Sequence, residues 1–339
     1  MKTYHIPVFV PHKGCPHDCI FCNQRKITGQ TTDTTKEDVN RITEENLSTF
    51  TGDYRAEIAF FGGSFTGIEI CKQNELLEEA HKYILQGRVD ALRCSTRPDY
   101  ITEEIVSNLK KYGMGCIELG VQSTDEEVLK ASKRGHSFED VKKAAEIIKK
   151  HDIELGVQMM LGLPEDTFQK SIQTAKNLIS LKPRCVRIYP TLVVPDTALH
   201  VLYQKGLYTP MSVEDTVELL SIIIPMFERE NITIIRVGLQ TTDEINADTV
   251  FGPYHSAIKE LAEGRIIRKC IEKSIASYNE KITVYCHSSR ISQVVGHQKC
   301  NKKYFKEKYS LTMEVITDNS LSRRELKIGD KIIEIYCEV

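Results

Sequence analysis

From residue 3 to about 240, short apolar runs alternate with amphipathic stretches, and no other feature of the sequence restricts the fold as much. "YHIPVFV" (4–10), "AEIAFFGG" (56–63), "VDALRCST" (89–96), "GCIELGVQS" (115–123), "IELGVQMMLGLP" (153–164), "CVRIYPTLV" (185–193) and "ITIIRVGL" (232–239) read as strands. Between them lie helix-like stretches at 36–50, 72–85, 102–113, 137–152, 167–181 and 212–224. In the third of these, Thr102 suits an N-cap and Gly113 a C-terminal stop. Strands separated by helices of this length pair in parallel through right-handed crossovers. An open doubly wound sheet and a (β/α) barrel both satisfy the pattern. In either, the residues just after each strand line one face, where sites are built. Here those positions hold a cysteine loop, "GGSF", "STRPD", "GVQS", "GLPED" and "YPT".

The cysteine loop, "VPHKGCPHDCIFCNQRKITG" (10–29), spaces Cys15, Cys19 and Cys22 as C-x3-C-x2-C, with His12 and His17 beside them. One reading is a zinc site with His12 or His17 as fourth ligand. A structural zinc site needs a closed tetrahedron, commonly built from paired knuckles. No second knuckle follows, and a His within three residues of a Cys strains a shared tetrahedron. Three thiolates on a short loop instead suit a cubane 4Fe–4S cluster whose fourth iron stays open. An open iron is a place for a small molecule to chelate.

With Phe21 just before the last cysteine, this loop resembles the signature of the radical S-adenosylmethionine (radical SAM) superfamily. "FFGGSF" (60–65) resembles its glycine motif. "STRPDYIT", "IELGVQS", "RGHSFEDV", "MMLGLPED" and "RIYPTLVVPDTAL" follow in order, and together they resemble the radical SAM core of the Elongator catalytic subunit, which modifies wobble uridines of tRNA. The resemblance runs from about residue 8 to 240 and continues in "GPYHSAIKELAEGRI", as in bacterial Elongator-like proteins with a C-terminal extension. It implies an α/β fold, a partial (β/α) barrel carrying a small C-terminal α/β extension. It also implies a 4Fe–4S cluster on Cys15, Cys19 and Cys22, with S-adenosylmethionine on its open iron. Gly62, Gly63 and Ser64 then match the methionine-binding motif, and Gln122 and Arg134 match positions contacting ribose or carboxylate. Met160, Leu161 and Gly162 match the edge that meets adenine. The plainer alternatives are a surface charge for Arg134 and the core end of a strand for residues 160–162.

The chain also departs from that pattern. Ser95 stands where Elongator-like proteins usually carry an acidic residue, and only fourteen residues precede Cys15. After residue 245 no stretch is long enough for their acetyltransferase domain. We therefore expect a radical SAM core over 1–244 and an extension over 245–339, in which "KITVYCH" (281–287), "LTMEVIT" (311–317) and "DKIIEIYCEV" (330–339) read as strands.

Lys+Arg and Asp+Glu nearly balance, for a net charge of -2, so the surface as a whole is not built for nucleic acid. No signal-peptide pattern opens the chain, and no apolar run approaches the ~18 residues of a membrane span. Eleven cysteines without a secretory context point to buried thiols in a reducing cytoplasm. The expected partners are a small-molecule substrate and an external electron donor of flavodoxin or ferredoxin type. Binding of tRNA is disfavoured, although Lys13, Arg25 and Lys26 make the cysteine loop locally basic. Tyr189 in "RIYP" and His255 in "GPYH" are the candidates for substrate positioning or proton transfer, against a barrel-lining Tyr and a helix-capping His. A non-catalytic iron–sulfur adaptor is the remaining alternative, but it has no use for a cofactor cradle.

Overall fold

A computed structural model describes residues 2–10, 19–23, 33–239, 246–247, 249–275 and 280–337. Cys15, His12, His17, Lys13, Arg25 and Lys26 lie outside the described residues. The seven apolar runs form β1 (Lys2–Val10), β2 (Tyr54–Gly62), β3 (Ala91–Thr96), β4 (Met114–Gln122), β5 (Glu154–Leu161), β6 (Cys185–Pro190) and β7 (Thr233–Val237). Their spatial order is the chain order, and every neighbouring pair is parallel. Sequential order with parallel pairing is the barrel solution, not the doubly wound one, whose strand order reverses at a switch point.

The sheet is curled into a half-barrel. Arg187 of β6 places its guanidinium over the Phe61 ring of β2, 4.9 Å from the centroid, although three strands separate them. The period-2 alternation of each strand sends one set of side chains outward and the other into this lumen. Outward residues such as Val8, Ile58, Phe60, Ile117, Val157 and Ile188 are fully buried beneath the helices. The lumen set carries buried charges among apolar side chains such as Phe9 and Phe61, which makes it a different kind of surface.

The covering helices include α1 (Lys36–Leu47), α2 (Ile70–Leu85), α3 (Glu103–Lys111), α4 (Glu126–Ala131), α5 (Phe138–Lys150), α6 (Phe168–Ser180), α7 (Ala198–Gln204) and α8 (Val213–Arg229). Ser137 and Asp140 form a reciprocal capping box at the start of α5, and Thr102 caps α3 through the Ile105 N–H. Helix α8 runs straight through Pro225, beyond the end the sequence suggests. Its buried stripe of Leu219, Leu220, Ile223, Ile224 and Phe227 outweighs the one lost backbone bond.

Beyond β7, α9 (Ile258–Glu272) packs on α8 and carries a second sheet. That sheet has the order β11-β10-β8-β9, from β8 (Lys281–Cys286), β9 (Thr312–Thr317), β10 (Glu325–Ile328) and β11 (Lys331–Glu334). Two helices, α10 (Ile291–Val295) and α11 (Cys300–Tyr309), precede β9. One continuous apolar core joins the two sheets, from Ile6 to Ile333. No described helix is long and apolar enough to cross a membrane.

Candidate active site

The described end of the cysteine loop is fastened to the rim at the C-terminal ends of the strands. Ile20 donates its N–H to the Ser132 carbonyl at 3.3 Å, and its own carbonyl accepts the Leu199 N–H at 2.7 Å. Its side chain packs with Val193, Leu199 and Tyr208. Cys22 N–H closes a turn onto the Cys19 carbonyl at 3.0 Å. The Cys19 thiol is thereby held under cover, and what covers it is positively charged.

Arg134 is 6% exposed, so it is no surface charge. One Nη donates to the Cys19 sulfur at 3.2 Å, the other donates to the Gly120 carbonyl, and Nε has no partner among the described residues. Arg97, which the sequence reading passes over inside "STRPD", is equally buried. It reaches Cys19 Sγ at 4.0 Å, bonds the Arg134 carbonyl at 2.5 Å and pairs with Asp99 at 2.9 Å. N–H···S bonds and nearby cations of this kind tune thiolate-ligated clusters. The signal for Arg97 was available: an arginine one residue past a strand end, fixed by proline and followed by its own carboxylate.

The glycine motif adjoins this group. Gly62 ends β2 at φ +107°, and a Cβ there would stand 2.4 Å from the Val10 carbonyl oxygen, so only glycine fits. Ser64 Oγ accepts the Arg97 N–H at 3.2 Å and bonds Thr96 Oγ1 at 2.8 Å. Gln122 closes β4 in the left-handed region at φ 68°, its side-chain carbonyl buried without a partner among the described residues. Strain at a strand end and an orphan buried acceptor are features that a bound ligand explains. Gly162, after β5, bonds Asp166 through its N–H at 2.8 Å and Tyr208 through its carbonyl at 2.5 Å. Met160 beside it is half-buried, and Leu161 is core.

His136 lies under the same arginines, with Nε2 3.3 Å from the Val121 carbonyl and Nδ1 unpartnered among the described residues. Burial, reinforced by Arg134 and Arg97, depresses its pKa to about 4. The folded chain therefore keeps His136 neutral where the unfolded chain, with an ordinary imidazole, takes up a proton. Between about pH 6.5 and 4 the unfolded state binds more protons, and stability falls as pH falls. Denaturant melts across that window are expected to flatten in His136→Asn. An unchanged slope would remove His136 as the cause.

The lumen set forms a chain of buried charge. His5 of β1 meets Glu57 at 3.4 Å, Glu57 meets Arg93 at 2.7 Å, and Arg93 meets Glu118 at 3.1 Å. Glu118 in turn takes a fork from Arg187 at 2.6 and 3.1 Å and a bond from Gln158 at 3.1 Å. Gln158 also donates to Ser95 at 2.9 Å, which places the position lacking the usual acidic residue inside the lumen. Burial pushes the Tyr189 phenol up, and the nearby charges of Arg187 and Arg236 pull the other way.

The structure brings Cys19, Arg134 and Ser64 into one hydrogen-bonded group through Arg97, places Gln122 beside it where Gln122 and Arg134 both flank Gly120, and sets Tyr189 in the lumen. His255 stands elsewhere on the rim. Its Nδ1 accepts the Ala257 N–H at 3.1 Å at the start of α9, and its ring meets His297 edge-on at 5.4 Å. No contact with Tyr189 or Arg134 is present among the described residues. Nor do three described His, Cys, Asp or Glu side chains converge as a metal site, Cys15 being outside the described set.

A parallel half-barrel with a cysteine loop, a glycine cradle and buried arginines at its C-terminal rim defines a class of radical enzymes. The chain belongs to the radical SAM superfamily, whose family model matches residues 9–178, half of its length; the Radical_SAM C-terminal domain matches 183–268. The superfamily is one of enzymes that use a 4Fe–4S cluster and S-adenosylmethionine. The chain is similar to a tRNA uridine(34) acetyltransferase of Methanocaldococcus infernus, 29% identical over 65% of this chain and 43% of that protein. It is 31% identical to an uncharacterized protein of Methanocaldococcus jannaschii, over 65% of this chain and 70% of that one. The chain thus spans less than half of the acetyltransferase it matches. Among solved structures, the archaeal Methanocaldococcus infernus Elp3 with an N-terminal deletion superposes with TM-score 0.62 at 20% identity, over 98% of this chain and 77% of that one. That likeness is one of fold.

Proposed function

We propose that the chain is a radical SAM enzyme that takes a hydrogen atom from an organic substrate seated in the half-barrel lumen. Residues 1–244 are the core in this reading and 245–339 an extension. The observation that carries it is the connected group of Cys19, Arg134, Arg97 and Ser64 beside the Gly62 cradle, with the orphan Gln122 carbonyl and Arg134 Nε. These residues fit the cofactor pair: Cys15, Cys19 and Cys22 would hold the cluster. Gly62, Gly63 and Ser64 would hold the methionyl part, Gln122 and Arg134 its polar groups, and Met160 and Gly162 the adenine edge. When bound, cluster and S-adenosylmethionine supply a 5′-deoxyadenosyl radical at the expense of one electron from a flavodoxin- or ferredoxin-type donor. Arg134 and Arg97 exclude water from Cys19 and compensate negative charge beside it. Arg187, locked on Glu118, sets its positive charge near the Tyr189 phenol, whose proton is the one proposed to meet the substrate. His255 is the second proton-handling candidate, at the rim.

The test is an anaerobic assay of reconstituted protein with a reducing donor, following 5′-deoxyadenosine and methionine. Cleavage above background supports the reading, and Arg134→Ala is expected to weaken S-adenosylmethionine binding ten- to a hundredfold, the usual worth of a charge-assisted bond at about 1.5–3 kcal/mol. Absence of both products with a full cluster would sink it.

The relatives named tRNA uridine(34) acetyltransferase favour a second reading, modification of the tRNA wobble uridine. Against it stand the balanced charge and the Lys-rich α11, where Glu307 and aromatics interrupt the basic run. We expect no tight binding of deacylated tRNA at about 150 mM salt, where phosphate contacts are already well screened. A sub-micromolar complex that weakens steeply with salt would put the tRNA reading first.

A further inference from the structure

We infer that the lumen binds the anionic group of its substrate, a carboxylate or a phosphate, on Arg236 of β7. The inference rests on the reading above that the lumen is the substrate chamber. Arg93, Arg187 and Arg236 all bring guanidinium charge to this surface, and the first two are compensated. Arg93 lies between Glu57 and Glu118, and Arg187 forks onto Glu118. Arg236 forms no ion pair among the described residues. Its one hydrogen bond among the described residues runs from Nε to the Gly238 carbonyl, 3.1 Å away and two residues on. That bond fixes the stem and leaves both Nη groups, the fork whose geometry matches two oxygens of a carboxylate or phosphate.

A bulge aims this side chain. Along β6 and β7, Cys185 pairs with Thr233 and Val186 with Ile234, but Arg187 then pairs with Arg236, skipping Ile235. Without the shift Arg236 would stand opposite core-facing Ile188, and its charge would be driven under the helices. With it, Arg236 stands beside Arg187, and its charge is felt at the Tyr189 phenol. Bulges that re-aim one side chain recur next to sites. Neighbouring strands are ~4.8 Å apart, so two like charges are held side by side and only one is neutralised. An anion between them and the Tyr189 hydroxyl completes the set. Phe9, 37% exposed, and Phe61, paired with it on β1 and β2, give flat apolar walls for the rest of the molecule. The ligand class is an organic anion with a planar or apolar body.

The test titrates the full chain with benzoate, phenyl phosphate and neutral benzamide by calorimetry. At least one anion is expected to bind tenfold or more tighter than benzamide, and Arg236→Gln to erase that preference, a loss of about ten- to a hundredfold. Tighter benzoate assigns a carboxylate substrate, and tighter phenyl phosphate a phosphate. Should Arg236→Gln lose its folded far-UV signal, Arg236→Lys keeps the charge without the fork and is expected to reduce the preference. Equal binding of benzamide and both anions by the native chain overturns the inference, as does a preference undiminished in the variants. Its failure is distinct from failure of the enzymatic reading. Anion selectivity without S-adenosylmethionine cleavage sinks only the latter, and cleavage without selectivity only the former.

Discussion

Replacing Cys19 or Cys22 by Ala is expected to abolish iron–sulfur reconstitution and, with it, all reductive cleavage of S-adenosylmethionine. The native chain should take up about four irons and four sulfides, with the broad visible absorbance of a thiolate-ligated cubane. Among the described residues no other cysteine, histidine or carboxylate joins Cys19 and Cys22 as a possible ligand set. What surrounds Cys19 is instead cationic: Arg134 at 3.2 Å and Arg97 at 4.0 Å, each a donor to sulfur and incapable of ligating iron. Removing Cys19 leaves those guanidinium groups buried and facing each other, so this variant should also be the less stable of the two. Iron and sulfide analysis after anaerobic reconstitution decides the matter. Stoichiometric zinc without iron in the native protein would return the loop to the closed tetrahedral reading.

The parts of this molecule that were legible in the sequence are those governed by period and punctuation. Seven strands and six long helices follow from alternation and caps, because parallel strands must be apolar outward and helices must cover them. The short helices α4 and α7 were not legible, since six or seven residues hold too few turns for a period to show. Nor was β10, four residues long and visible only once β8 and β11 are paired beside it. At the site, the cysteines, glycines, Gln122 and Arg134 stood in recognisable motifs. Arg97 and His136 did not stand out, because their importance is three-dimensional: residues 37 and 39 positions apart become one buried cluster only when β3 and β4 lie side by side. The lumen charges were harder still. Glu57, Arg93, Glu118 and Arg187 each sit singly in an apolar strand, where a charge reads as noise until the sheet curls and brings the four together.

That charge chain carries the largest stability effect. Glu118→Gln is expected to cost about 3–5 kcal/mol, the usual penalty for removing one partner of a buried ion pair. Glu118 is 0% exposed and bonds Arg93, Arg187 and Gln158. Burial alone would raise its pKa, but Arg187 and Arg93 outweigh burial and hold it lowered. Glutamine keeps the volume and loses the charge, so the Arg93 and Arg187 guanidinium groups are left with Glu57 alone to balance them. Against a typical total of about 5–15 kcal/mol, this threatens folding outright. Urea melts should show a lower midpoint at an unchanged slope. The acid side follows from the same groups. Glu57, held down at about 2, and Glu118 contribute stability that is present above the ordinary carboxylate range near 4.5 and is lost as pH falls toward their folded values. Adding Arg187→Met to Glu118→Gln should recover part of the loss, because the second change removes the charge that the first left unpaired. Strict additivity of the two, or a single-variant loss below about 1 kcal/mol, would mean that water screens the lumen and that Arg187 is not held by Glu118. The Arg187 charge near Tyr189 would then be unanchored, and the case for that phenol as the group that meets substrate would have to rest on Arg236 alone.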